Sequence, residues 1–339
     1  MALNKAAPDA LPSMLAEVGL PAFSACTRLL VVVPHPDDES IATGLLIQQV
    51  RAAGGEVRIV LLTAGDNNPW PQRWLERRLR IGAADRQRWG RRRRAEMLRA
   101  LECLDVPLEA LQALDWPDMG VTDALLRPGS ELVAEMAAAI GQFRPSLVAA
   151  PSIEDRHPDH GSAHVLVRLA LAAQPEPPSL LTYLVHGRGW TGASIEIRGT
   201  PTQAANKRAA LAAHHSQMAL SSGRLRRLAT RPERYASVSG TPADSHAVLP
   251  WRPPVWLRPW LRLSTIGPSG KHSWRWHEAP LRRDRDGWFH LPSAATAEGR
   301  PLFARLALTL PSLWIFDHWG WCECTAAPEP AAAPLAPVD

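Results

Sequence analysis

Tyrosine occurs only twice in this chain of 339 residues and phenylalanine only five times. Such scarcity is unusual for a globular chain. Four cysteines, Cys26, Cys103, Cys322 and Cys324, are too few and too scattered for a disulfide framework and suit a reducing compartment. No uncharged apolar run reaches the roughly 18 residues of a membrane span. No basic start followed by an apolar block of about 7–15 residues opens the chain. These absences read as a soluble, cytoplasmic protein. The net charge is +5, its excess is local to an arginine-rich stretch, and no nucleic-acid-binding motif accompanies that stretch, so nucleic acid is not an expected partner.

What the chain does have is apolar content of 46% with 21% charged residues, the balance of an ordinary globular protein. Its length exceeds the about 100–200 residues of one domain, so a large domain with an appended module is expected. Thr27 to Val33 is a continuous, largely β-branched run, the mark of a strand buried on both faces of a parallel sheet. Ser40 to Ala53 follows with helical spacing and stops at Gly54-Gly55, and Glu56 to Thr63 gives a second strand. Strand, helix and strand in so short a stretch make a βαβ unit. The pattern recurs as a helix at 91–104, strands at 109–114 and 146–151, helices at 131–143 and 162–173, a strand at 179–185 and one more helix at 202–218. The expected fold is α/β, a Rossmann-like doubly wound and mostly parallel sheet, in a domain spanning 25–240 after an N-terminal segment of 1–24.

Beyond it the texture changes. Nine of the fourteen tryptophans lie past position 250, and the strongest strand signals are at 302–308 and 312–316. A smaller β-rich or irregular extension is expected over 241–325. The Ala/Pro run of 326–339 cannot build a core and reads as a disordered tail.

Two strings carry the chemistry. Pro34-His35-Pro36-Asp37-Asp38-Glu39 ends the first strand, and His157-Pro158-Asp159-His160 follows the strand at 146–151. Ligands of open α/β sheets gather at the carboxyl ends of strands. Two clusters of His and Asp meeting there suit zinc or another divalent metal with a coordination position left open for water. If one of Asp37 and Asp38 binds the metal, the other is placed as general base. Of His157 and His160, three apart, one can ligate while the other, protonated, faces an oxyanion, with Asp159 holding it in its donor state. Glu39 and His164 read as supporting residues.

These strings closely resemble those of the PIG-L family of zinc-dependent N-deacetylases, also called LmbE-like, over about residues 25–220. The resemblance implies that His35, Asp38 and His160 bind zinc, that Asp37 is the general base, and that His157 stabilises the oxyanion with Asp159 orienting it. It further implies a cytoplasmic hydrolase that removes the acetyl group from an N-acetylglucosamine-type conjugate linked to inositol, a thiol precursor, an antibiotic core or another glycan. Arg93, Arg94 and Asp118, the last in Trp116-Pro117-Asp118-Met119-Gly120, match positions that contact sugar hydroxyls in relatives.

Ten arginines fall between Arg73 and Arg94, a stretch read first as solvated surface and otherwise as a site for anionic groups. Trp70, Trp74 and Trp89 interleave with it as a candidate sugar-stacking wall, and Asn67 to Trp70 as pocket rim. Two rival readings stand beside the deacetylase: a divalent-metal phosphohydrolase using Asp37 and Asp38, and a non-catalytic glycan-binding protein.

Overall fold

A computed structural model describes residues 22–187, 194–238, 248–267, 270–292, 301–310 and 316–324. The chain divides into two compact units, 1–239 and 240–339.

In the first unit the apolar run becomes β1, Arg28–Val33, with Leu29 to Val33 wholly buried. Burial of each such side chain contributes about 1.5–3 kcal/mol relative to leaving it in water. β1 lies parallel to β2, Glu56–Thr63, on one side and to β4, Leu147–Pro151, on the other. The full sheet has seven strands in the order β3-β2-β1-β4-β5-β7-β6, where β3 is Leu111–Trp116, β5 Ser179–Tyr183, β6 Ile195–Ile197 and β7 Glu233–Ser237. β1 to β5 are parallel, and β7 runs antiparallel to both β5 and β6. Chain order reverses between β1 and β4, and the crevice at such a switch point is where these sheets bind ligands.

Helices differ from the sequence expectation at two breaks. The helix expected over 40–53 forms as α1, Asp38–Ala42, and α2, Gly44–Ala52. Thr43 separates them, its Oγ1 donating back to Glu39 O at 2.8 Å, the local competition that bends helices. The helix expected over 202–218 likewise forms as α8, Pro201–Ala213, and α9, His215–Ala229, parting at His214. Between them in sequence lie α3 (Pro69–Glu76), α4 (Ala83–Cys103), α5 (Val121–Leu126), α6 (Leu132–Phe143) and α7 (Pro158–Ala172). The Glu233 carboxylate accepts the Leu45 and Leu46 N–H groups at 2.7 and 3.0 Å, capping α2 from a distant strand.

In the second unit, β8 (Leu261–Gly267), β9 (Gly270–Arg275), β10 (Phe303–Leu308) and β11 (Gly320–Glu323) form an antiparallel sheet in the order β9-β8-β10-β11. Leu261, Leu263, Trp276, Phe289 and Leu306 are among its core residues. The strand expected at 312–316 falls almost wholly outside the described residues, as do the tail at 326–339 and most of the N-terminal segment. No helix among the described residues is long and apolar enough to cross a membrane.

Candidate metal centre

The turn after β1 holds a non-glycine residue in the left-handed half of backbone space, Asp37 at φ 122°. Such a conformation persists only where its surroundings impose it. Here the Asp37 N–H donates to Glu39 Oε2 at 2.9 Å, while Glu39 Oε1 accepts from Ser40 Oγ at 2.7 Å and meets His214 Nε2 at 2.8 Å. Arg93 closes the turn from α4, its guanidinium donating to Gly65 O at 2.7 Å and Pro36 O at 2.6 Å. Gly65 has φ +63°, and a Cβ there would fall 1.9 Å from Arg93 Nη1, so this close approach requires glycine.

The second string is positioned by Asp155. Its Oδ1 accepts the His157 N–H at 3.0 Å, and its Oδ2 accepts the Val185 and His186 N–H groups at 2.9 and 3.0 Å. The loop after β4 is thereby tied to the loop after β5. His157 caps α7 with Pro158 at the first helical position, and one turn in, His160 reaches the centre.

Three atoms converge. His35 Nδ1 lies 3.4 Å from Asp38 Oδ2, Asp38 Oδ2 lies 3.2 Å from His160 Nε2, and His160 Nε2 lies 3.4 Å from His35 Nδ1. Ligands about 2.0–2.2 Å from a tetrahedral zinc ion stand about 3.3–3.6 Å apart, so the triangle has the dimensions of three corners of such a site. The distal nitrogen of each imidazole has carboxylate behind it. His35 Nε2 lies 3.2 Å from Asp118 Oδ1 and 3.4 Å from Asp159 Oδ2, and His160 Nδ1 lies 3.1 Å from Asp155 Oδ2. Metal-bound histidines are held in this way.

Four buried carboxylates around two imidazoles leave a surplus of negative charge, visible in the titration of the cluster. Burial opposes a charge on His160, but Asp155 and Asp38 outweigh it and lift its pKa to about 10. Burial opposes charge on His35 too, and Asp118, Asp159 and Asp38 raise it well above the usual imidazole value. Burial disfavours ionised Asp38, yet His160 and His35 hold it well below the usual carboxylate range. The same field favours a divalent cation between these groups.

Asp37 behaves differently. Burial lifts it to about 6, with Arg93 pulling the other way and Asp38 reinforcing the rise. A carboxylate near neutrality beside a metal triangle is suited to general base work. Burial and the neighbouring His35 and His160 push His157 well below its usual value, so it is neutral. Its Nδ1 accepts the Asp159 N–H at 3.3 Å, which leaves the proton on Nε2 as a donor.

The other residues singled out in the sequence take the following positions. The Asp159 carboxylate turns to His35 and to the Met119 and Val121 N–H groups at 2.7 and 3.2 Å, so what reaches His157 Nδ1 is its main chain. Asp118 stands behind His35 and accepts from Asn67 N–H. Arg93 is buried under the Asp37 turn. Arg94 points away, paired with the exposed Asp115 at 2.6 Å. Trp89 is wholly buried and forms no wall. His164 supports the fold, its Nδ1 2.9 Å from Pro151 O.

His186 went unnoticed in the sequence. Its ring centroid lies 5.0 Å from that of His160 and 5.4 Å from that of His157, and Arg224 Nη2 donates to its Nδ1 at 3.0 Å. With Asp38 and His160 it forms a further group whose ligand atoms lie within 4.8 Å of one another. Its position just past β5, at the carboxyl end of a third parallel strand, was the available signal.

Fold and site together define an α/β protein with a buried cluster of His and Asp side chains, able to hold a metal ion, at the switch point of a doubly wound sheet. Residues 30–171 match the model of the PIG-L family, described as GlcNAc-PI de-N-acetylase. This stretch contains both strings. A relative from Mycolicibacterium smegmatis, 1D-myo-inositol 2-acetamido-2-deoxy-alpha-D-glucopyranoside deacetylase, is 33% identical over 161 residues, covering 44% of this chain and 54% of that one. The protein of the same name from Mycolicibacterium gilvum is 34% identical over 159 residues, 43% of this chain and 55% of that one. The chain thus spans about half the length of the curated relatives it matches. The solved structure of N,N'-diacetylchitobiose deacetylase from Pyrococcus horikoshii aligns with a TM-score of 0.51 at 17% identity, covering 68% of this chain and 87% of that one, which shows a shared fold.

Proposed function

We propose that this chain is a zinc-dependent N-deacetylase that hydrolyses the acetamido group of an N-acetylglucosamine-type conjugate in the cytoplasm. The observation that carries this reading is the triangle of His35 Nδ1, Asp38 Oδ2 and His160 Nε2, 3.2–3.4 Å on each side. A zinc ion held there would supply Lewis acidity and bring water towards ionisation at neutral pH.

The chain's own groups do the rest. Asp37 accepts the proton of the attacking water. His157 Nε2–H donates to the oxyanion that develops on the amide oxygen, the role of a fixed hydrogen-bond donor at developing charge. As the carbon–nitrogen bond breaks, Asp37 returns its proton to the departing nitrogen, so that acetate and a free amine leave. Asp118, Asp155 and Asp159 hold the ligand imidazoles. The curated relatives carry deacetylase names, which supports the amide as the bond broken. The four cysteines are free thiols, in keeping with a reducing cytoplasm.

The test is an assay of the purified chain on N-acetylglucosamine conjugates, with acetate and amine release as the readout. Stoichiometric release of both, abolished by a chelator and restored by zinc, is the expected result. Phosphate release from phosphorylated sugars without any acetate would instead establish the phosphohydrolase. Binding without turnover would establish the glycan-binding protein.

A further inference from the structure

Helix α3 is amphipathic with its apolar and basic side turned to water. Its inner face is anchored: Pro71 and Gln72 are buried, and Gln72 Nε2 donates to Asp85 O at 2.8 Å. The outward face runs i, i+3, i+4, i+7 as Trp70, Arg73, Trp74 and Arg77. Trp70 and Trp74 are 62% and 67% exposed, and the neighbouring Leu79 and Leu220 are 90% and 50% exposed. Together they border a shallow concavity of about 760 Å³ walled only by tryptophan, leucine and arginine. Soluble proteins seldom leave so much contiguous large apolar surface in water unless something covers it.

The chemistry of the walls identifies what covers it. Among the described residues, neither Arg73 nor Arg77 has a carboxylate partner, and the Arg73 guanidinium stacks 5.2 Å from the Trp70 ring centroid. Leucine offers no stacking face to a sugar, so a glycan explains only part of the patch. A protein interface surrounds its aromatic and arginine anchors with a polar rim of hydrogen-bonding groups, and no serine, asparagine, glutamine or carboxylate lines this concavity. Tryptophan and leucine that enter the acyl boundary, ringed by arginines that meet phosphates, are what an anionic lipid surface selects.

We propose that the Trp70, Arg73, Trp74, Arg77 and Leu79 face of α3 docks the protein on the surface of an anionic membrane without spanning it. The surface adjoins the metal centre. Asn68 directly precedes α3, and the Asn67 before it donates its N–H to Asp118, which stands behind His35. The surface is independent of the reaction proposed above, and its test requires no turnover.

The test is co-sedimentation of the full chain with vesicles of phosphatidylcholine, alone or with phosphatidylglycerol added. Binding is expected only when phosphatidylglycerol is present, and it should weaken with salt. The double variant Arg73→Gln/Arg77→Gln should bind about thirtyfold more weakly, the effect of removing two charges at an anionic surface. Trp70→Ala/Trp74→Ala should also lose binding, with circular dichroism showing that both variants fold. Failure to bind, or equal binding to pure phosphatidylcholine, would overturn the proposal. So would a self-associating chain that the tryptophan variant renders monomeric while neither protein binds vesicles, because the face would then join two copies of the chain.

Discussion

Two buried ionic clusters in the first unit differ in how their charges are balanced. Lys207 and Glu233 meet at 2.5 Å, each about 1% exposed in its side chain. Glu233 also accepts two N–H groups of α2, and the Tyr235 hydroxyl lies 2.8 Å from its Oε2. One cation faces one anion, and N–H and hydroxyl donors fill the carboxylate's other acceptor positions. At the carboxyl end of β1, by contrast, Asp38, Asp118, Asp155 and Asp159 crowd His35 and His160. The first cluster is closed, and a closed buried pair fixes the packing of the elements it joins. The second has an electrostatic deficit that a cation would fill. Burial alone does not distinguish structure from site here; charge balance does.

Breaking the two clusters should therefore have different consequences. Asp37→Asn, which removes the base while leaving the triangle intact, should lower kcat about 10²- to 10⁴-fold without changing zinc content, measured by steady-state kinetics and elemental analysis. Lys207→Met leaves Glu233 buried and uncompensated. It should destabilise the fold by about 3–5 kcal/mol in denaturant melts and leave kcat of the folded fraction unchanged.

A third prediction concerns His164, which lies outside both clusters. Burial holds its pKa at about 4 in the folded chain, against about 6.5 when unfolded. The unfolded state therefore binds more protons in this window. The stability contribution is complete above about pH 6.5 and is lost as pH falls towards 4, up to about 3 kcal/mol. His164→Gln should flatten that dependence in denaturant melts compared across pH; an unchanged slope would contradict it. The smallest effect is expected from Asp155→Asn, which keeps a hydrogen-bonding group behind His160 but removes its charge. Zinc affinity should fall about 10- to 100-fold by competition titration.

Much of this was legible in the sequence because the signals were local. The β-branched run of β1, the helix closed by Gly54-Gly55 and the two His/Asp strings each declare themselves within a few residues, and sheet topology then brings the strings together. Features that depend on distant partners were hidden. Helix α3 begins Pro-Trp-Pro and reads as loop rim. Strand β7, Glu-Arg-Tyr-Ala-Ser, is too charged to resemble a strand, and its buried Glu233 makes sense only beside Lys207 and the start of α2. The break at His214 places that imidazole on Glu39, 175 residues away. The Asp159 carboxylate lies near His157 in sequence, but the fold turns it to His35. Proximity in the chain brings candidate residues into view, but the pairings among them are set by the fold.

The central claim is that His35, Asp38 and His160 form the metal site. Its most direct test is the zinc stoichiometry of the purified chain after reconstitution and dialysis, compared with Asp38→Ala, His160→Ala and Lys207→Met. About one zinc per chain is expected in the parent and in Lys207→Met, and none in the two triangle variants. Zinc retained in full by Asp38→Ala and His160→Ala would contradict the account.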